Sequence, residues 1–140
     1  AMRFHFGLWG RYRRELRACN AVIESVIGRE PALFRSPQGI KNPALGDVLA
    51  ELGMTAIGWQ VRGFDSLGGD ARAIEERVVR GARPGGVIAL HDGTGFGGIS
   101  DRSATIEALP RIIDRLRERG MEFVRLDELL EVEAYRAAAS

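Results

Sequence analysis

Gly85-Gly86-Val87-Ile88-Ala89-Leu90-His91-Asp92-Gly93 is the stretch on which the fold turns. Its apolar residues run without alternation, the pattern of a parallel strand covered on both faces. The run ends in a His-Asp pair and then breaks into glycine. Polar chemistry therefore sits at the carboxyl end of the strand, where open α/β sheets and (β/α) barrels carry their functional groups. His91 is one of two histidines in the chain. A lone histidine at a strand end is more often a satisfied structural residue, so its weight here comes from position and neighbours.

Upstream of this strand, Asp70 is placed to cap a helix with Ile74, Val78 and Val79 inward, ending before Pro84. Before that helix, Thr55 to Trp59 reads as a strand. Asn42-Pro43 starts another helix, with Asn as cap and Pro in the first turn, and Gly53 stops it after Leu52. Ala32-Leu33-Phe34 is a short strand that delivers Arg35. Arg11 to Ile27 has helical spacing at Leu16, Cys19, Ile23, Val26 and Ile27, closed by Gly28. Downstream, a helix from about Ser103 carries Ile106, Leu109, Ile112, Ile113 and Leu116 inward and closes at Gly120. Met121 to Val124 follows as a strand, and Leu126-Asp127 starts a last helix that frays into Ala137-Ala138-Ala139.

Helices and strands alternate with short connections, which means right-handed βαβ units and a parallel sheet. Four strands are too few for a closed barrel of about eight. The α/β alternatives are an open four-stranded sheet or a half-barrel with an unpaired edge. No linker, repeat or low-complexity segment interrupts the 140 residues, which read as one domain. The chain is 45% hydrophobic with a formal net charge of +1, enough for a core and without an electrostatic footprint for nucleic acid or a membrane surface. No apolar run approaches a membrane span and no signal peptide is visible. The single cysteine, Cys19, excludes an internal disulfide and falls on the apolar stripe of its helix, so it reads as core. It leaves the compartment unassigned.

Three expected strands end in polar signals: Arg35-Ser36-Pro37-Gln38-Gly39, Trp59-Gln60-Val61-Arg62-Gly63-Phe64-Asp65 and Leu90-His91-Asp92-Gly93. Parallel strands would bring them to one rim. An Arg, an Asp and a His there supply a fixed cation, an orienting carboxylate and a proton donor. Taken singly, each has a plainer reading as a surface charge, a turn residue or a satisfied strand end. Their agreement in position is what argues for a site.

These stretches resemble the polysaccharide deacetylases, metal-dependent carbohydrate esterases that remove N- or O-acetyl groups from chitin, peptidoglycan and related glycans. Arg35-Ser36-Pro37-Gln38-Gly39 is similar to that family's Arg-x-Pro-aromatic-Gly motif. Trp59 through Asp65 resembles its Trp-turn-Asp motif, and Ile88-Ala89-Leu90-His91-Asp92 its apolar strand ending in Leu-His-Asp. The closing Phe123-Val124-Arg125-Leu126-Asp127-Glu128-Leu129-Leu130 also fits, so the resemblance spans nearly the whole chain. It implies parallel β/α units forming the C-terminal half of a distorted (β/α) barrel of the glycoside hydrolase/deacetylase type. It implies His91 as general acid, Asp65 as the residue holding His91, and Arg35 as partner of a general-base carboxylate. Trp59, Leu90, Pro37 and Gly39 would contribute to substrate binding around the acetyl group.

The family's Thr-Phe-Asp-Asp-Gly stretch, with its general base, and its His-Ser/Thr-x-x-His stretch are absent from this sequence. Outside His91 the only histidine is His5. A hydrolytic zinc site takes about three protein ligands, so no metal ligand set and no cofactor are expected from within this chain, although the family uses a divalent metal such as zinc. Gln38 stands where an aromatic is usual and Ser66 where a Trp is common. The resemblance thus implies the C-terminal portion of a deacetylase acting on an acetylated glycan. Alone it would be inactive, and it would either pair with the missing N-terminal half of the barrel or form a homodimer of half-barrels through an open edge at Leu33-Phe34. A non-catalytic carbohydrate-binding or scaffolding module of the same fold is the alternative. Gly93-Thr94-Gly95-Phe96-Gly97-Gly98 also fits the G-x-G-x-x-G pattern of a nucleotide-binding loop. The next helix begins too late for the tight turn that loop requires.

Overall fold

The structure is a computed structural model that describes residues 2–39, 41–65, 68–93 and 101–138, with the side chains of 2–6 and 38 outside the description. The chain divides into two compact units, Ala1–Gly58 with Leu126–Ser140, and Trp59–Arg125.

In the first unit, α1 spans Met2–Ile27 and starts well upstream of the expected Arg11. Only part of the expected apolar stripe is buried, with Leu16 inward and Ile23 half-buried. Leu16 and Asn20 are buried, whereas Val26 is 78% exposed and Cys19 is exposed rather than core. Polar contacts to Asn42, Asp47, Glu51 and Met54 accompany this orientation. Trp9 Nε1 donates to Asp47 at 3.1 Å, Asn42 Nδ2 donates to Tyr12 Oη at 2.7 Å, and Arg13 forks the Glu51 carboxylate, its closest contact at 2.8 Å. Asn20 Nδ2 reaches Met54 Sδ at 3.3 Å.

β1 is Leu33–Phe34 and α2 is Pro43–Glu51. Asn42 caps α2 by accepting the Leu45 N–H at 2.9 Å, and Gly53 follows its end at φ 65°, a conformation glycine reaches without a Cβ penalty. β2, Thr55–Ala56, pairs in parallel with β1 as Leu33↔Thr55 and Phe34↔Ala56. Leu16, Leu45, Val48, Leu49, Leu52 and Met54 form the core beneath them.

In the second unit, β3 (Val61–Arg62) pairs in parallel with β4 (Ile88–Ala89), Val61 against Ile88. The expected strand from Thr55 to Trp59 is therefore confined to β2, and β3 is a separate strand beyond it. The Ile57 N–H still bonds Phe34 O at 2.7 Å, while the Gln60 N–H already bonds Val87 O at 3.0 Å. The backbone changes partner across Gly58. α3, Ala71–Gly81, begins where Asp70 accepts the Ala73 N–H at 2.7 Å. α4 is Ser103–Glu118. Its inward face is Thr105, Ala108, Ile112 and Leu116, packed with Ile74, Val78 and Val79 of α3. Ile106, expected inward, is 70% exposed, and Leu109 is exposed too. The face is led by a polar residue, which apolar periodicity does not reveal.

Met121 to Val124 forms no strand among the described residues, and Phe123 and Val124 are exposed. The Met121 N–H instead closes back on Leu116 O at 3.0 Å. Back in the first unit, α5 is only Leu126–Leu130. The tail beyond it is not a fraying helix. Tyr135 bridges antiparallel to Pro31, the Ala32 N–H donates to Ala134 O at 2.9 Å, and the Arg136 N–H donates to Glu30 O at 2.9 Å. Arg29 lies 4.2 Å over the Tyr135 ring. The tail thus covers the backbone leading into β1, part of the edge expected to be open.

Candidate active site

The site lies where β3 and β4 end. Gly63 follows β3, and its N–H donates to Ala89 O at 3.3 Å, which extends the pairing by one residue. A side chain at Gly63 would collide with the Leu90 side chain. Glycine is what lets Leu90, half-buried against the α3–α4 core, approach the turn. Phe64 next adopts φ 52°, a left-handed conformation unfavourable for a bulky residue. Arg77 braces the turn by donating to Gly63 O and lying 5.4 Å over the Phe64 ring.

The turn delivers Asp65, which is 2% exposed. Its Oδ2 accepts the His91 backbone N–H at 2.8 Å and the Thr105 hydroxyl at 2.8 Å. Its Oδ1 lies 2.9 Å from His91 Nδ1. Burial by itself pushes the Asp65 carboxyl up. The hydrogen bonds from the His91 ring, the His91 backbone and Thr105 outweigh burial and hold it below its ordinary value. Asp65 is therefore an anion whose oxygens only accept, so Nδ1 of His91 carries a proton. Nε2 is the ring nitrogen left for chemistry, on a side chain 49% exposed. A buried carboxylate that fixes one nitrogen of a half-exposed imidazole orients a proton donor or acceptor.

Arg102 is buried as well. Its NH1 donates to Asp65 O at 2.9 Å and its Nε to Gly93 O at 3.0 Å. Neither Arg102 nor Thr105 was singled out from the sequence. The available signal was a polar residue at the head of the helix face that Ala108, Ile112 and Leu116 continue.

The structure thus brings together Asp65 and His91, with Leu90 beside them. Trp59, in the same unit, is half-buried with the Arg62 guanidinium 4.9 Å over its ring. Arg35, Pro37 and Gly39 belong to the first unit. There Arg35 is exposed after β1, and Pro37–Gly39 forms a 3-10 turn with Gly39 at φ 70°. Residues 94–98 of the glycine pattern, Ser66 and the side chains of His5 and Gln38 lie outside the described residues. Among the described residues no group of three His, Cys, Asp or Glu side chains is placed to hold a metal ion. Asp65 is already engaged by His91 and Thr105. The described residues therefore do not fit a hydrolytic zinc centre of about three protein ligands.

Parallel β/α units thus carry a His–Asp pair at their strand ends. No protein-family model matches the chain. The peptidoglycan-N-acetylglucosamine deacetylase of Bacillus cereus is 35% identical over 104 residues, covering 73% of this chain and 46% of that protein. Among solved structures, a peptidoglycan N-acetylglucosamine deacetylase matches with a TM-score of 0.81 at 26% identity, over 91% of this chain and 57% of that one. A family 4 carbohydrate esterase pseudoenzyme from Bacillus anthracis matches with a TM-score of 0.75 at 27% identity, over 87% of this chain and 40% of that one. By sequence and fold the chain belongs with the polysaccharide deacetylases, the family 4 carbohydrate esterases. It spans less than half the length of its Bacillus cereus relative.

Proposed function

We propose that this chain is the C-terminal portion of a deacetylase that removes N- or O-acetyl groups from a glycan, with His91 as its general acid. The observation that carries this reading is the 2.9 Å contact between His91 Nδ1 and the buried Asp65 carboxylate at the ends of parallel strands. In the reaction, water adds to the acetyl carbonyl carbon and gives its proton to a general base. The bond from that carbon to the glycan nitrogen or oxygen then breaks. The departing atom takes the proton from His91 Nε2, and acetate is released. Asp65 holds the ring through both steps and balances its charge while it is protonated. Within the second unit, Trp59 and Leu90 would contribute to binding the acetyl group. The general base and the ligands of the family's divalent metal are not in this sequence. No step here runs through that metal.

The test is acetate release from an acetylated chitooligosaccharide with zinc present. The full-length gene product that carries this chain is expected to release acetate, and these 140 residues alone none. An inactive full-length protein would overturn the catalytic reading. It would favour a glycan-binding module instead, a reading supported by the similarity to a family 4 pseudoenzyme.

The partner reading is a homodimer, or pairing with the upstream half of the barrel. Val22, Val26 and Ile27 leave an apolar surface exposed on α1. Each sheet among the described residues has two strands, and unpaired strand edges recruit other chains. Light scattering of the isolated chain is expected to give a mass that rises with concentration toward a dimer. A monomer at every concentration would remove the homodimer. No helix among the described residues is long and apolar enough to cross a membrane.

A further inference from the structure

We infer that Thr105 and Arg102, at the start of α4, are positioning residues that lock the Asp65–His91 pair in one geometry. The inference deepens the general-acid reading of His91 and rests on it only for its catalytic consequence.

Thr105 sits on a helix face that is otherwise apolar, and its hydroxyl points at a single acceptor. Oγ1 donates to Asp65 Oδ2 at 2.8 Å. A valine would fill the same volume and continue the core, so the hydroxyl, not the packing, distinguishes this residue. Oδ2 has a second donor, the His91 backbone N–H, and Oδ1 faces the ring. These contacts fix the plane of the carboxylate. Without the hydroxyl, Oδ2 keeps only the His91 backbone N–H, the carboxylate is held less firmly about its last torsion, and the ring's acceptor loses part of its fixed direction.

Arg102 carries the complementary restraint. A guanidinium this deeply buried is costly unless its hydrogens are taken up. Its donors go to main-chain carbonyls of Asp65 and Gly93, the latter two residues beyond His91. One planar group therefore ties together the two loops that carry the pair. Arg102 also stands at the N-cap of α4 and makes no side-chain cap bond there. Helix stability alone favours Ser, Thr, Asp or Asn at that position. Its side chain serves the site instead of the helix.

The test is imidazole 15N NMR of the chain, with the His91 signals assigned by their loss in His91→Ala. The parent is expected to show the Nδ1–H tautomer and a hydrogen-bonded Nδ1 proton. Thr105→Val is expected to mix the tautomers and to speed exchange of that proton by about tenfold or more, as expected when a buried carboxylate loses a donor. Thr105→Ser is expected to restore the parent signature. Arg102→Lys keeps the charge but cannot bridge the two carbonyls, and it is expected to behave like Thr105→Val. It also carries the test should Thr105→Val not fold. A folded Thr105→Val or Arg102→Lys protein with the parent tautomer and exchange rate would overturn the inference. None of these readouts uses turnover, so an undiminished His91→Ala enzyme would remove the general-acid reading and leave this geometry standing.

Discussion

His91→Ala is expected to lower the turnover of the full-length deacetylase by about a hundred-fold or more, the range of general acid catalysis. A hundred-fold corresponds to about 2.7 kcal/mol of barrier. The loss should fall on kcat with KM little changed, because the ring acts on a proton that moves only as the bond to the leaving atom breaks. The substitution is a clean one. It removes a ring that is half exposed, while Asp65 keeps the backbone N–H of residue 91 and the Thr105 hydroxyl as donors. The fold therefore stays, and a drop in rate reads as chemistry. Steady-state acetate release from an acetylated glycan measures it. Near-normal kcat in the variant would show that another group protonates the leaving atom.

Asp65→Ala should cost about 2–3 kcal/mol of stability in the unit that contains it, since one buried and one partly buried donor lose their acceptor, the buried one at about 1–3 kcal/mol. Those donors are the Thr105 hydroxyl and the His91 backbone N–H. The exposed His91 ring rehydrates at little cost. The same residue sets a pH dependence. Asp65 ionises below its ordinary value in the folded chain, because the donors around it outweigh the burial that opposes ionisation. Its contribution is thus complete above the unfolded carboxyl value of about 4. It is lost as pH falls through the lower folded value. Urea unfolding followed through the amide signals of Ile74, Val78 and Ile112 is the measurement, at pH 7 and below pH 4. The parent should weaken markedly on acidification and Asp65→Ala much less. Equal midpoints for the two proteins at pH 7, or identical acid slopes, would mean the buried carboxylate does not hold this unit together.

Much of the chain was legible from local chemistry. Asn42 and Asp70 start their helices because their side chains accept a backbone N–H three residues on, a contact that depends on nothing distant. Gly53 and Gly120 end theirs because each adopts a positive φ that glycine tolerates. The parallel α/β character followed from the continuous apolar run before His91. That Asp65 holds His91 was implied by the family resemblance, and the register of β3 on β4 brings the two into contact.

The chain by itself determined where α2, α3 and α4 start and stop, that its strands are parallel, and which strand ends carry polar groups. These depend on capping geometry and on the periods of apolar residues, and both act within a few positions. Tertiary structure alone decided which face of α1 and α4 is buried, where the strand after Thr55 breaks, and what the tail past Leu130 pairs with. It also decided that Thr105 and Arg102 close on Asp65. Each outcome involves contacts between groups far apart in sequence, as with Trp9 and Asp47, Ala32 and Ala134, or Thr105 and Asp65. A buried hydrogen bond left unmade costs more than an exposed isoleucine. Ile106 and Val26 face outward, while Thr105 and Asn20 are buried, bonded to Asp65 and to Met54.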